Sequence, residues 1–424
     1  MNSVIIDDRT SRSPWRFVAR VCLTLVFSLA TFASHSFGAP PVKQGPPGPN
    51  IHARGELTNS LWQFAHQKTG HVAFMGGSIT EMNGYRPMLC EFLERRFPET
   101  EFTFTDAGIS STCSTTGAFR LDRDVLSKGP VDLFFVEFAV NDDQDAMHAR
   151  RECIRGMEGI VRHVRQHNPN ADIIITYFVN PGMMEKLGRD EELISTGAHE
   201  AVAEQYQVST VHLAREVTER IANGTLTWEK YGGVHPAPYG NRIAADMVIE
   251  LLTSAWEANE TVAADSQRNA KRPHAMPETM LDPNSYVNGR FISPAEATIE
   301  SGWKWETPNW TSIPGQLRGR YANRPLLSAD APNSVMTLNF TGNAIGAFLL
   351  AGPDAGFVEV SVDEGPFRPI DLYHRFSGGL HYPRTVMFAT DLPPGAHVLR
   401  LRTTEKSNSA SKGVAARILE FTVN

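Results

Sequence analysis

Three residues far apart in the chain carry side chains that together could attack an acyl carbon: Ser78 in "FMGGSIT", Asn141 in "VEFAVND" and His235 in "YGGVHP". A serine hydroxyl is a poor nucleophile until a base takes its proton and donors stabilise the oxyanion that forms. Histidine titrates near neutrality and suits the base; an asparagine amide suits the oxyanion. Each residue also has an ordinary explanation. Ser78 or Thr80 could cap a helix, Asn141 could close an Asx turn, and His235 could fill a loop between glycines and prolines. The choice turns on whether the surrounding elements bring the three to one edge.

From His71 to Trp256 short apolar runs alternate with amphipathic stretches. "HVAFMGG", "EFTFTDAG", "VDLFFVEFAVND", "ADIIITYFVN" and "QVSTVHLA" read as five strands. Their near-continuous apolar character suits strands buried on both faces. Leu89, Phe92, Leu93 and Phe97 share one helical face between strands, as do Ile154, Met157, Val161 and Val164; Ala244, Met247, Val248, Leu251, Leu252 and Ala255 do so after the last strand. Alternation of this kind predicts an α/β domain, a parallel sheet doubly wound with helices. Ligands bind such sheets beyond the carboxyl ends of the strands, where "GGSIT", "DAGISSTCSTTG" and "AVNDD" lie. The loop of His235, just ahead of the last helix, falls at the same edge.

The chain has 424 residues, 41% hydrophobic and 21% charged, with a net charge of −7, so length favours two domains and charge excludes an evident nucleic-acid partner. Four arginines, Arg9, Arg12, Arg16 and Arg20, precede the apolar run Val21 to Ala33 and the small residues of "SHSFGAP". That is the pattern of a signal peptide over 1–39, with export to the periplasm or the extracellular space. The run is shorter than the roughly 20 residues a membrane span needs, so no span is expected after its removal. Beyond the leader only Cys90, Cys113 and Cys153 remain, enough for one disulfide at most. His163 and His167 stand four apart on a predicted helix with no evident third ligand, and "HEAVA" at His199 lacks a second histidine; no metal and no cofactor is expected.

After the polar stretch 258–284 the pattern changes to short strands broken by Gly, Pro and Asp, among them "SVMTLNFTG", "AIGAFLLAG", "GFVEVSVDEG", "TVMFATDL", "AHVLRLRT" and "ARILEFTVN". Such spacing predicts an antiparallel β-sandwich or jelly roll over 285–424. "GWKWETPNW" and "DLYHRFSGGLHYP" concentrate aromatic and histidine side chains there, including His374 and Tyr382. Rings can stack on sugars as well as fill cores, which makes Trp303, Trp305, Tyr373 and His381 candidate substrate contacts.

With these blocks quoted, the sequence resembles the SGNH, or GDSL-type, esterase and acylhydrolase superfamily between about Val72 and Trp256. "GGSITE" is similar to its nucleophile block, "DAGISSTCSTTGAFRL" to the second, "FAVND" to the Gly-x-Asn-Asp block, and "GGVHP" to the Asp-x-x-His block. The resemblance implies a flavodoxin-like five-stranded sheet over 66–257, with 40–65 as lead-in. It implies Ser78 as nucleophile, His235 as base, and the Asn141 amide and Ser78 N–H as oxyanion donors. Two positions depart from the pattern. Ser111 stands where a glycine N–H is usual, with Gly108 as the alternative donor, and a side chain restricts φ there. Gly232 stands where an aspartate usually orients the histidine, leaving a backbone carbonyl as first substitute and Glu229 as second, with Asp142 and Asp143 also in reach.

Together with an added jelly roll, the pattern resembles secreted carbohydrate esterases. It implies a serine esterase acting on an acylated carbohydrate, the acyl group foremost acetyl. A lipase, thioesterase or arylesterase would use the same residues with another pocket. A glycan-binding protein on a decayed hydrolase scaffold would account for Ser111 and Gly232 but not for the retention of Ser78, Asn141 and His235. The sequence leaves oligomeric state open.

Overall fold

The computed structural model describes residues 48–259 and 271–424, and the backbone of residues 5 and 6. The apolar run 21–33, expected from the sequence to belong to a signal peptide, lies outside the described residues. Among those described, no helix is long and apolar enough to cross a membrane.

The first domain is built on β1 (Ile51–His52), β2 (Thr69–Gly76), β3 (Glu101–Gly108), β4 (Leu133–Glu137), β5 (Asp172–Thr176) and β6 (Ser209–Val211). Their order across the sheet is β1-β6-β5-β4-β2-β3. The five strands β2 to β6 form four parallel pairs, and only the two-residue β1 runs antiparallel, on the edge. β4 and β5 are buried at every residue, as their unbroken apolar runs require. Phe74 of β2 stacks on Phe135 of β4 at 4.9 Å in the centre of that core.

Leaving β1 aside, the strand order is that of a flavodoxin-like sheet, with its switch point between β2 and β4. In-register pairing puts Gly76, at the end of β2, opposite Glu137, at the end of β4. The loops that leave these two strands therefore diverge from one point. The helices that frame the point are α1 (Ser78–Glu81), α2 (Tyr85–Arg96), α3 (Ser114–Asp124), α4 (Arg150–His167), α5 (Ile194–Tyr206), α6 (Leu213–Ala222), α7 (Trp228–Tyr231) and α8 (Pro238–Glu257).

Two antiparallel sheets follow. One contains β9 (Lys304–Glu306), β10 (Leu326–Ala329), β17 (Ala416–Val423), β12 (Ile345–Ala351) and β15 (Tyr382–Ala389) in that order, with β7 (Arg290–Ile292) also on β17. The other runs β14 (Arg368–Asp371), β13 (Gly356–Val362), β16 (Gly395–Ser407), β11 (Val335–Gly342), β8 (Thr298–Ser301). Leu338, Leu349, Val360, Leu399 and Phe421 face one another between them. The chain is thus a mostly parallel α/β domain followed by an antiparallel β-sandwich. The two meet through paired polar groups as well as apolar ones: Thr116 and Thr385 share a hydroxyl hydrogen bond of 2.8 Å, and Arg123 reaches Glu420 at 3.1 Å.

Candidate active site

β2 delivers the chain to Gly76 and Gly77, after which Ser78 opens the single turn α1. Gly77 is required by proximity: a Cβ there would overlap the Asn141 Oδ1 atom. Beneath this loop lies Glu137, fully buried, whose Oε1 accepts the Gly77 N–H at 2.9 Å and the Thr80 hydroxyl at 2.7 Å. Its Oε2 has no hydrogen-bond partner. Burial pushes the Glu137 carboxyl up to about 7, against the hydrogen bonds from Thr80 and Gly77 that favour its charged form. The acid inside "LFFVEF" is the sequence signal for this residue, and the reading above passed over it.

After β4 the chain turns helical at Ala139 and makes a π-type turn over Asn141–Asp145. That turn sets Asn141 Nδ2 2.6 Å from Asp145 Oδ2 while Oδ1 lies against Gly77. One amide hydrogen is therefore used in orienting the side chain and one is left for a ligand. Asp142 faces the other way. Its carboxylate accepts the Ser114 N–H at 2.8 Å, the Ser114 hydroxyl at 2.6 Å and His199 Nε2 at 2.9 Å. Burial opposes its charge, but the bonds from His148 and His199 prevail and hold the carboxyl well below the usual range.

The second block forms a turn, Ile109 to Thr112, closed by the Thr112 N–H to the Ile109 carbonyl at 3.2 Å. Ser111 adopts φ 69°, the left-handed region. No hydrogen bond uses its N–H among the described residues, whereas the Gly108 N–H is already given to Asp106 at 2.9 Å. Of the two alternatives, Ser111 and Gly108, it is Ser111 whose N–H is free among the described residues.

On the far side His235 Nε2 lies 2.7 Å from Ser78 Oγ. Its loop leaves α7, turns through Gly232 and Gly233 at φ 105° and 90°, and enters α8 at Pro238. At Gly232 the backbone crosses itself so closely that a Cβ would overlap the Ala237 amide nitrogen. No side chain fits there, an aspartate included. None of the substitutes considered takes its place. Glu229 is exposed and makes no hydrogen bond with the histidine, Asp142 serves Ser114 and His199, and Asp143 accepts from Asn180 at 2.9 Å. Among the described residues no carbonyl or carboxylate is hydrogen-bonded to the second ring nitrogen of His235. The loop itself is pinned instead. Buried Asn241 donates to the Pro236 carbonyl at 2.5 Å and to Ala237 at 3.2 Å, and accepts the Tyr85 N–H at 2.9 Å.

The second domain meets this site with residues other than those singled out for it. Trp303 belongs to the sandwich core, Trp305 is 40% exposed on β9, Tyr373 packs against the core's edge, and His381 is buried against Trp310 at 4.9 Å. Arg318, His374 and Tyr382 reach across, and Arg320 pairs with Glu81 at 3.2 Å. Arg318 donates to Ser110 and Ser111, His374 Nε2 bonds the Asp145 carbonyl at 2.8 Å, and Tyr382 stacks on His374 at 4.4 Å. A cavity of about 220 Å³ lies between the domains, lined by Ser111, Cys113, Asp145 and His148 on one side and by Tyr382 and Arg384 on the other. His374 and Tyr382 sit within the aromatic stretch already noted; Arg318 had no sequence signal.

Among the described residues three groups bring metal-ligating atoms within 4.8 Å: His52, Glu200 and His212; Cys113, Asp142 and His148; and Asp142, Cys153 and His199. Their acids are committed to protein donors, Glu200 to Arg54, His52 and Tyr177, and Asp142 as described. They read as hydrogen-bond networks. Cys90, Cys113 and Cys153 are free thiols.

Residues 74–243 match the family model for the GDSL-like lipase/acylhydrolase family. Over that span the first domain is similar to this family. No curated protein matches the chain. Among solved structures, a two-domain esterase named CEX, active on acetylated mannans and co-crystallised with mannopentaose, superimposes with a TM-score of 0.69 at 18% identity, covering 88% of this chain and 96% of its own. A second structure of that esterase gives 0.68 at 18% identity, over 88% and 97%. At this identity the likeness establishes the fold alone: a mostly parallel α/β domain followed by an antiparallel β-sandwich.

Proposed function

We propose that this GDSL-like protein is an exported serine esterase that removes O-acyl groups, foremost O-acetyl, from a carbohydrate. The observation that carries the reading is the 2.7 Å contact between Ser78 Oγ and His235 Nε2 at the switch point of the sheet. His235 takes the Ser78 proton as Oγ bonds to the ester carbonyl carbon. The oxyanion is met by the free Asn141 amide hydrogen and by the N–H groups of Ser78 and Ser111. Collapse breaks the bond to the sugar oxygen, which leaves with the proton from His235. Water, deprotonated by the same histidine, then releases the acid and regenerates Ser78.

The sugar substrate is supported by the two-domain likeness to an esterase active on acetylated mannans, and export by the leader pattern. The test is acetate release from acetylated mannan and xylan and hydrolysis of para-nitrophenyl esters of rising chain length. Ser78→Ala is expected to lower kcat on the order of 10⁶-fold, and Glu229→Gln to match wild type. Equal rates in wild type and Ser78→Ala would sink the mechanism. Faster turnover of long acyl chains than of acetyl would move the substrate to lipids.

A further inference from the structure

We infer that Arg318, from the second domain, is a positioning residue that keeps the Ser111 N–H directed at the oxyanion; the inference rests on the acyl-transfer reading above. The turn from Ile109 to Thr112 has two available forms. Type I and type II turns differ by a flip of the central peptide, here Ser110–Ser111, and the third residue takes φ near about −90° in the first and about +80° in the second. Ser111, at 69°, is in the second form. Glycine favours that form because a Cβ is crowded at positive φ, and a serine left to itself prefers the first. The flip would carry the Ser111 N–H to the opposite face of the turn.

Arg318 holds the two groups that report the flip. Its Nη1 donates to the Ser110 carbonyl at 2.7 Å, the oxygen of the very peptide whose nitrogen is that of Ser111, and its Nη2 donates to Ser111 Oγ at 2.8 Å. Rotating the peptide breaks both bonds. The turn's other hydrogen bonds do not do this: the Ile109 N–H to Gly76 at 3.1 Å and the Thr112 hydroxyl to the Ile109 carbonyl at 2.7 Å leave the central peptide free to rotate. Glu81 accepts the Ser110 N–H at 2.8 Å, which belongs to the preceding peptide, and is itself paired with Arg320 at 3.2 Å. Arg318 is set in place by the sandwich: Leu317 before it is buried, and Gln316 exchanges backbone hydrogen bonds of 2.8 Å with Gly379 and His381. The serine at position 111 and the arginine at 318 form a unit in which the second supplies the conformational constraint that a glycine would not need.

The test is a cycle of Arg318→Ala and Ser111→Gly in the full-length protein, assayed on para-nitrophenyl acetate, with a crystal structure of each variant. In the serine background, loss of Arg318 is expected to lower kcat about 10²-fold with KM unchanged, the loss of one oxyanion donor. In the glycine background the same change is expected to cost only about twofold, because glycine takes both signs of φ with similar ease. The Arg318→Ala crystal structure is expected to have Ser111 at negative φ. Equal losses in the two backgrounds, or positive φ at Ser111 without Arg318, overturn the inference. Arg318→Met, which keeps the apolar stem, replaces Arg318→Ala if that variant does not fold. If wild type hydrolyses no ester, the acyl-transfer reading falls, and the φ of Ser111 still decides whether Arg318 holds the peptide.

Discussion

The oxyanion side and the histidine side of the site each lack a residue expected of the family, and each is completed differently. On the oxyanion side Ser111 replaces a glycine, and the second domain reaches over to hold its turn through Arg318. On the histidine side Gly232 replaces an aspartate, and the loop is held from within its own domain by Asn241 and by its crossing at Ala237. A backbone donor can be aimed by any group that grips its peptide, even from another domain. Here the imidazole is aimed through its own loop: among the described residues its one hydrogen-bond partner is Ser78 at 2.7 Å, so the placement of the ring follows from the backbone that Asn241 pins.

Restoring the missing acid is expected to have the largest effect. Gly232→Asp is expected to cost several times the typical 1 kcal/mol of a point mutation and to lower activity, through positive φ and overlap with Ala237. Chemical denaturation reads the first and ester hydrolysis the second. A variant that folds normally and turns over faster than wild type would mean that the histidine side had been waiting for its acid. Removing the internal tether is milder. Asn241→Ala is expected to lower kcat about tenfold, with KM held, and to cost about 1–3 kcal/mol through the unsatisfied Pro236 carbonyl and Tyr85 N–H. No change in kcat would leave the crossing at Gly232 as the sole device.

Glu137, which supports the nucleophile loop, gives an effect that depends on pH. Its folded carboxyl titrates at about 7 against an ordinary 4.5, so the folded state holds the extra proton between those values. Its contribution favours folding at low pH and is lost as pH rises from 4.5 through 7, on the order of 3 kcal/mol in all. Glu137→Gln is expected to flatten that slope, gaining on wild type at pH 8 relative to pH 5 in paired urea titrations. Parallel curves for the two proteins would place the charge of Glu137 outside the stability of the loop.

The sheet of the first domain was legible because its strands are buried on both faces and read as apolar runs. Their ends were less so: "VDLFFVEFAVND" is strand only to Glu137, since apolar residues continue into the helical turn that carries Asn141. In the sandwich, β8 and β9 are exposed throughout and carry no alternation, so they escaped notice. Ser78, Asn141 and His235 were visible because their residue types suit one reaction at one sheet edge. Trp303 and His381 drew attention by type alone, and type does not separate a core ring from a surface one. Arg318 had no pattern to betray it: its partners are a carbonyl and a hydroxyl more than two hundred residues away.

The crossing at Gly232 ties sequence to backbone path at a single point. Because the Ala237 amide occupies the space a side chain would need, any substitution at Gly232 has to be matched by a new path between Tyr231 and Pro238. The glycine works as a latch: the loop that carries His235 keeps its shape only while this position has no side chain.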